Sequence, residues 1–196
     1  MEINQEIKRK GDNAMDKKVF VHLEEGFEEI EALATIDILI RGELDTVIVS
    51  VTGEPVVRSV RGVGVVCDKL YEEVDYSECG MIVLPGGIPG VDNLGAHEGL
   101  CSRLKEFKEE DKWIAAICAA PIILHNNGLI DGKTLTCFPG CGDDFHEANV
   151  VTDKVAVDGK LITSQGPGTA IEFGLKIVEM LKGKEMADYV RGRLLA

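Results

Sequence analysis

The chain has 196 residues, about the length of one domain, and 45% of them are hydrophobic and 28% charged. That is globular composition; it excludes a disordered chain, and a core of this size needs neither disulfide nor metal to hold it. The 34 acidic residues outnumber the 21 basic ones and leave a formal net charge of −13, so phosphate backbones and anionic membrane surfaces repel the chain, and the charge argues against nucleic acid as a partner.

The first eighteen residues alternate charge and lack the apolar stretch of a secretory signal. No apolar run approaches the ~20 residues a membrane helix needs. The expectation is a cytoplasmic chain whose six cysteines, Cys67, Cys79, Cys101, Cys118, Cys137 and Cys141, are mostly reduced. Residues 1–16 read as a flexible amino-terminal arm and 17–196 as one domain.

Val19 to Leu23 reads as a short buried strand, and residues 28–41 as a helix with acids in its first turn and Gly42 after its end. Residues 46–52 are a β-branched strand, and 56–67 carry two apolar runs of a hairpin. Met81 to Leu84 is a buried strand running into Pro85-Gly86-Gly87. Residues 98–110 are an amphipathic helix, Trp113 to Ile117 a strand, and 119–127 helical. Residues 132–157 carry only short β-like pieces and a Gly-rich turn. Leu161 to Thr163 is a strand; Thr169 and Glu172 have capping-box spacing at the start of a helix over 170–182, which Gly183 ends, and a short helix follows. Strands alternating with helices predict an α/β fold with a mostly parallel sheet and helices on both faces. Ligands then sit at the carboxyl ends of the strands.

The strand-to-helix junction at Cys118 is the most informative stretch. Ala116, Ala119 and Ala120 flank the cysteine, and small neighbours are what a sharp nucleophile elbow needs. A helix amino terminus behind the thiol favours the thiolate and lowers its pKa. From this segment alone, a buried structural cysteine in an Ala-rich core fits equally well. The Gly-rich turn at 85–90 can aim backbone N–H groups into a cleft, where one of them, with the N–H of Ala119, could hold an oxyanion. It is neither a phosphate-binding loop nor a dinucleotide fingerprint. Glu28, Glu29 and Glu31 lie in the first helical turn, where acids are ordinarily solvated; small and apolar residues follow Glu31, which predicts partial burial. A buried carboxyl beside a thiolate tends to keep its proton.

Four ordered motifs carry a resemblance: Glu-Gly-Phe-Glu-Glu-Ile-Glu31, Val-Leu-Pro-Gly-Gly87, Ala-Ala-Ile-Cys-Ala-Ala-Pro121 and Thr-Ser-Gln-Gly-Pro-Gly-Thr169. Over residues 17–190 the chain resembles the ThiJ/PfpI superfamily, in its DJ-one/YajL-like branch. The resemblance implies a flavodoxin-like three-layer sandwich and a homodimer. It implies Cys118 as a readily oxidised nucleophile, Glu31 as its protonated partner, the N–H groups of Gly87 and Ala119 as an oxyanion hole, and Arg61 as a site neighbour near the dimer interface. The activities it implies are glyoxalase without glutathione, deglycation, chaperone action and oxidative-stress sensing, with small dicarbonyls or glycated groups as substrates and no cofactor.

Two departures stand out. Ala119 occupies the place of the histidine that follows the nucleophile in the protease-like branch, which argues against a peptidase dyad. Phe138 stands where other members carry a histidine before Pro139, and its absence removes a proton-transfer group. His22, His97, His125 and His146 read as structural or exposed. Cys137, Cys141 and His146 form a C-x3-C-x4-H run, which matches no common zinc finger and lacks a fourth ligand, so oxidisable thiols fit better than a metal site. Two functions compete: a thiol enzyme acting on reactive dicarbonyls, and a redox sensor or chaperone working through oxidation of Cys118.

Overall fold

A computed structural model describes residues 17–196; the expected arm over 1–16 lies outside the described residues. Strand β1 (Lys18–Leu23) leads to helix α1 (Glu29–Arg41), then β2 (Thr46–Ser50) and a hairpin of β3 (Val56–Arg58) and β4 (Gly64–Val66). Strand β5 (Lys69–Leu70), β6 (Cys79–Leu84), α2 (Gly90–Ala96) and α3 (Glu98–Glu109) follow. Then come β7 (Trp113–Ile117), α4 (Pro121–Asn126), β8 (Thr134–Leu135), β9 (Asn149–Val150), β10 (Val155–Asp158), β11 (Leu161–Ser164), α5 (Ala170–Lys182) and α6 (Lys184–Leu194).

Seven strands form one sheet in the order β10-β11-β7-β6-β1-β2-β5, parallel except where β10 pairs antiparallel with β11. Alternate residues of each central strand feed two separate cores. Phe20, Ile82, Leu84, Ile114 and Ala116 pack under Leu94, Leu104, Phe107 and Ile123 of α2 to α4. Val21, Met81, Val83, Ala115 and Ile117 pack under Ile36, Leu39, Phe173 and Val178 of α1 and α5. Burial on both faces is why these strands read as unbroken apolar runs rather than as alternating patterns. The result is the mostly parallel three-layer sandwich that the sequence predicts.

The chain leaves β1 toward β2 on one side and returns to β6 on the other, so the strand order reverses between β1 and β6. The loops after these two strands meet there. Glu28 N donates to Gly86 O at 2.8 Å, and Gly90 N to Gly26 O at 3.3 Å. The hairpin folds over the same loop: Val60 N donates to Phe27 O at 2.8 Å. This is the crevice where ligands bind in open α/β sheets.

Several expectations need correction. The helix expected over 119–127 starts only at Pro121 and ends at Asn126. The capping box at Thr169 and Glu172 does not form. Thr169 Oγ1 turns back to Ser164 Oγ at 2.7 Å and Gly166 O at 2.9 Å, and Glu172 pairs with Lys154 at 2.7 Å. Helix α2 was not legible, because Gly90 and Gly95 dilute its short apolar pattern.

Candidate active site

Cys118 follows the last residue of β7 and has φ 66°, a left-handed conformation rare for any residue with a Cβ. Neighbouring chain over-determines it: Cys118 N donates to Ser164 O, and Phe138 N donates to Cys118 O, both at 2.9 Å. Such a conformation costs of order 1–3 kcal/mol and persists only where the surroundings enforce it. The turn lifts the thiol out of the sheet, leaving it half-buried at the strand ends. Ala119 and Ala120 are buried directly behind it, so the space for larger neighbours is closed.

Glu31 reaches the thiol from the first turn of α1. Glu28 caps that helix, its Oε2 accepting the Glu31 N–H at 2.8 Å. The Glu31 side chain is fully buried, beyond the partial burial the sequence predicts. Its Oε2 accepts the Gly86 N–H at 2.7 Å, while its Oε1 is buried and has no conventional hydrogen-bond partner among the described residues. The carboxyl and the Cys118 thiol are close enough to interact directly. Gly86 makes this approach possible, since a Cβ there would fall 2.6 Å from Cys118 Cβ and 2.7 Å from Glu31 Oε2. Gly86 is a site residue that the sequence reading passed over in favour of Gly87; its place beside a motif glycine was the available signal.

Burial is the first cause that pushes the Glu31 carboxyl up, to about 7; the thiol contact and the Gly86 N–H pull it back, and the charge of Glu28 adds to the rise. Burial also pushes the Cys118 thiol well above its ordinary value, followed by the charge of Glu31 and the hydrogen bond to it; the Ala119 N–H opposes this. The lowered thiol expected from a helix amino terminus is therefore corrected. The helix begins three residues later and is one short turn and a half, so the sulfur receives the Ala119 N–H while losing most of its water.

Two acids buried together cannot both ionise easily. Glu31 is the member of the pair that gives up its proton near pH 7, while burial and the resulting carboxylate hold the proton on Cys118 well above the thiol's ordinary value. Shifting the remaining proton from sulfur to oxygen gives a thiolate beside a neutral acid at no change in net charge. The Ala119 N–H favours that form, and the Gly86 N–H favours the other.

The Gly87 N–H donates to no group among the described residues, and Gly87 has φ 97°. Together with Ala119 it leaves two donors at the strand ends without a carbonyl partner. Arg61 lies on the turn of the hairpin, its guanidinium 3.2 Å from Glu28 Oε1 and 3.5 Å from Glu29 Oε2. It meets the acid that caps Glu31 rather than Glu31 itself. Phe138 is half-exposed and sits beside the thiol, as a Cβ at Gly166 would lie 3.4 Å from Phe138 Cδ2 and 3.9 Å from Cys118 Sγ.

The histidines have other partners. His22 Nε2 lies 2.7 Å from Tyr76 Oη, and full burial pushes its pKa down to about 3. His97 Nδ1 accepts the Leu100 N–H at 3.0 Å, and His125 Nδ1 is 2.6 Å from Glu147 Oε1. Among the described residues no group of three or more His, Cys, Asp or Glu side chains is arranged to hold a metal ion. No described helix is long and apolar enough to cross a membrane. A concavity floored by Ile114, Leu124, Leu129 and Leu161 opens at the opposite, amino-terminal end of the sheet and contains none of these groups.

Comparison with known proteins agrees with this architecture. The model of the DJ-1/PfpI family matches residues 17–180. The chain is 38% identical over 181 residues to "Protein DJ-1 homolog B" of Arabidopsis thaliana, covering 91% of this chain but 41% of that relative's length. It is 36% identical over 166 residues to "Glutathione-independent glyoxalase DJR-1.2" of Caenorhabditis elegans, covering 84% of this chain and 88% of the relative. The crystal structure of Drosophila melanogaster DJ-1beta superposes with a TM-score of 0.88 at 37% identity, covering 92% of this chain and 98% of that one. The chain belongs to the DJ-1/PfpI family.

Proposed function

We propose that this protein converts 2-oxoaldehydes to 2-hydroxy acids with Cys118 as nucleophile and Glu31 as proton carrier, without a cofactor. The observation that carries this reading is the unpaired, buried Glu31 Oε1 facing a thiol held at a strained strand end. The glyoxalase name of the Caenorhabditis relative supports it.

The Cys118 thiolate adds to the aldehyde carbon and forms a hemithioacetal. The new oxygen anion is held by the Gly87 and Ala119 N–H groups, where preorganised donors act strongly in a partly dry site. Glu31 gives its proton to that oxygen; as carboxylate it then takes the hydrogen from the same carbon as a proton and returns it to the neighbouring carbon, while the hydroxyl proton passes to the former ketone oxygen. The aldehyde carbon is oxidised to a thioester and the ketone carbon is reduced to an alcohol. Water then hydrolyses the thioester, restores the thiol and releases the hydroxy acid. The sum is one dicarbonyl plus one water giving one hydroxy acid. Adducts of such dicarbonyls on thiols and amines present a similar carbon to the same sulfur, which is the deglycase form of this reading.

Purified protein given methylglyoxal is expected to form lactate, and Cys118→Ser to abolish it. Wild type producing no lactate beyond buffer overturns the enzyme reading. A second reading, oxidation of Cys118 as a stress signal, rests on the half-buried thiol and on the same Glu31 proton, which can be donated to an oxidised sulfur. We further expect two copies to pair through the exposed Ile30, Val60 and Val63 beside Arg61, to be read from the sedimentation mass.

A further inference from the structure

Gly166 lies two residues past the end of β11, and its missing side chain leaves a small space against the candidate pair. The atoms nearest to a Cβ placed there are Phe138 Cδ2 at 3.4 Å, Cys118 Sγ at 3.9 Å and Glu31 Oε1 at 3.9 Å. One methyl-sized position is thus bounded by an aromatic ring, the proposed nucleophile and the buried carboxyl oxygen that has no partner among the described residues. These walls are fixed. Gly166 N donates to Thr169 Oγ1 at 3.1 Å, and Gly166 O accepts from Thr169 N at 2.9 Å. Phe138 N is tied to Cys118 O, and the turn beyond it is closed by Cys141 N donating to Phe138 O at 3.0 Å. The slot therefore has a polar, reactive end and an apolar end at a fixed spacing.

We propose that the reacting carbon seats in the gap at Gly166 and that the half-exposed Phe138 ring at its apolar end forms a specificity slot, selecting 2-oxoaldehydes that carry an aromatic or bulky apolar group over glyoxal. This rests on the proposed glyoxalase reading. The electrophilic carbon sits between Cys118 Sγ and Glu31 Oε1, and the group on the second carbonyl lies against the Phe138 ring. Glyoxal carries only hydrogen at that end and gains nothing from the ring. A phenyl group gains apolar contact and a favourable aromatic pairing with a ring that is 47% exposed without it. Phe138 thus acts in place of a polar group as a recognition surface.

Substitution at Gly166 tests the space directly. Its extended backbone suits any residue, and the contacts of an added Cβ are ordinary van der Waals distances, so Gly166→Ala is expected to fold with an unchanged melting temperature while filling the slot. The experiment compares kcat/KM for glyoxal, methylglyoxal and phenylglyoxal in wild type, Gly166→Ala and Phe138→Ala. A parallel arm needs no turnover: alkylation of Cys118 by iodoacetamide and by iodoacetanilide, read by peptide mass and normalised to N-acetylcysteine. Wild type is expected to prefer the aromatic member of each pair by at least about tenfold, the scale on which apolar pockets discriminate, Phe138→Ala to lose most of that preference, and Gly166→Ala to slow aromatic and small reagents alike. Equal rates for the aromatic and small reagents in wild type, an undiminished preference in Phe138→Ala, or wild-type rates in Gly166→Ala overturn the slot. Absence of turnover with all three dicarbonyls while the alkylation preference persists overturns the glyoxalase reading and leaves the slot standing.

Discussion

Glu31 Oε2 accepts the Gly86 N–H at 2.7 Å, which joins the acid of α1 to the loop after β6 across the point where strand order reverses. The bond fixes one carboxyl oxygen and leaves the other facing Cys118. Position and protonation of the acid are thus set by a single backbone donor together with burial.

That burial has a consequence for stability. Glu31 is pushed from 4.5 to about 7, so between these values the folded chain holds a proton that the unfolded chain has released. Stability contributed by this position is therefore greatest below about pH 4.5 and falls as pH rises through 7. The difference corresponds to about 3 kcal/mol above pH 7. Glu31→Gln removes the charge while keeping an oxygen for Gly86. Urea unfolding at pH 5 and pH 8 is expected to show the variant gaining stability relative to wild type at the higher pH, by up to about 3 kcal/mol.

Gly87 makes the opposite case to Gly166. Its φ of 97° is unsuited to a side chain, and a Cβ would meet Gly26 O at 2.6 Å and Phe27 C at 2.7 Å. These are backbone atoms that cannot step aside. Gly87→Ala is expected to cost at least about 2 kcal/mol and to lower the melting temperature by several degrees, whereas Gly166→Ala leaves it in place.

Arg61 touches Glu28, and the charge of Glu28 helps to raise the Glu31 carboxyl. The guanidinium is 68% exposed, so its ion pairs contribute under about 1 kcal/mol. Arg61→Ala is expected to leave the melting temperature nearly unchanged. Uncovering the Glu28 charge is expected to move the pH midpoint of Cys118 alkylation upward. A large loss of stability with no change in midpoint would show that Arg61 braces the hairpin instead.

Under mild peroxide the half-buried Cys118 is expected to gain oxygen before the fully buried Cys79. The gain is expected to be localised by peptide mass, with Glu31→Gln altering the yield of the oxidised form. Oxidation falling mainly on Cys137 or Cys141 would remove the centre of the sensing reading.

Much of this arrangement was legible in the sequence for definite reasons. The central strands are buried on both faces and so announce themselves as apolar runs. Glu31, Gly87, Cys118 and Ala119 fall at strand ends, and the structure brings all four to one crevice, with Arg61 one residue removed through Glu28. Residues 132–157 stayed obscure because β8 and β9 have two residues each and pair with one another outside the main sheet. The thiol was misread because helix position suggests a dipole, whereas water loss is decided by tertiary packing. The failed capping box has a similar cause: Thr169 is better satisfied by Ser164 and Gly166 than by its own helix.

Everything turns on whether Cys118 and Glu31 hold one proton between them near neutral pH. The rate of Cys118 alkylation against pH, in wild type and in Glu31→Gln, measures this. A shared proton requires a wild-type midpoint near 7 that moves upward in Glu31→Gln, where the buried thiol must ionise alone. A wild-type rate that rises only above about pH 9, or one midpoint common to both proteins, would mean that the two groups are neighbours without chemical consequence.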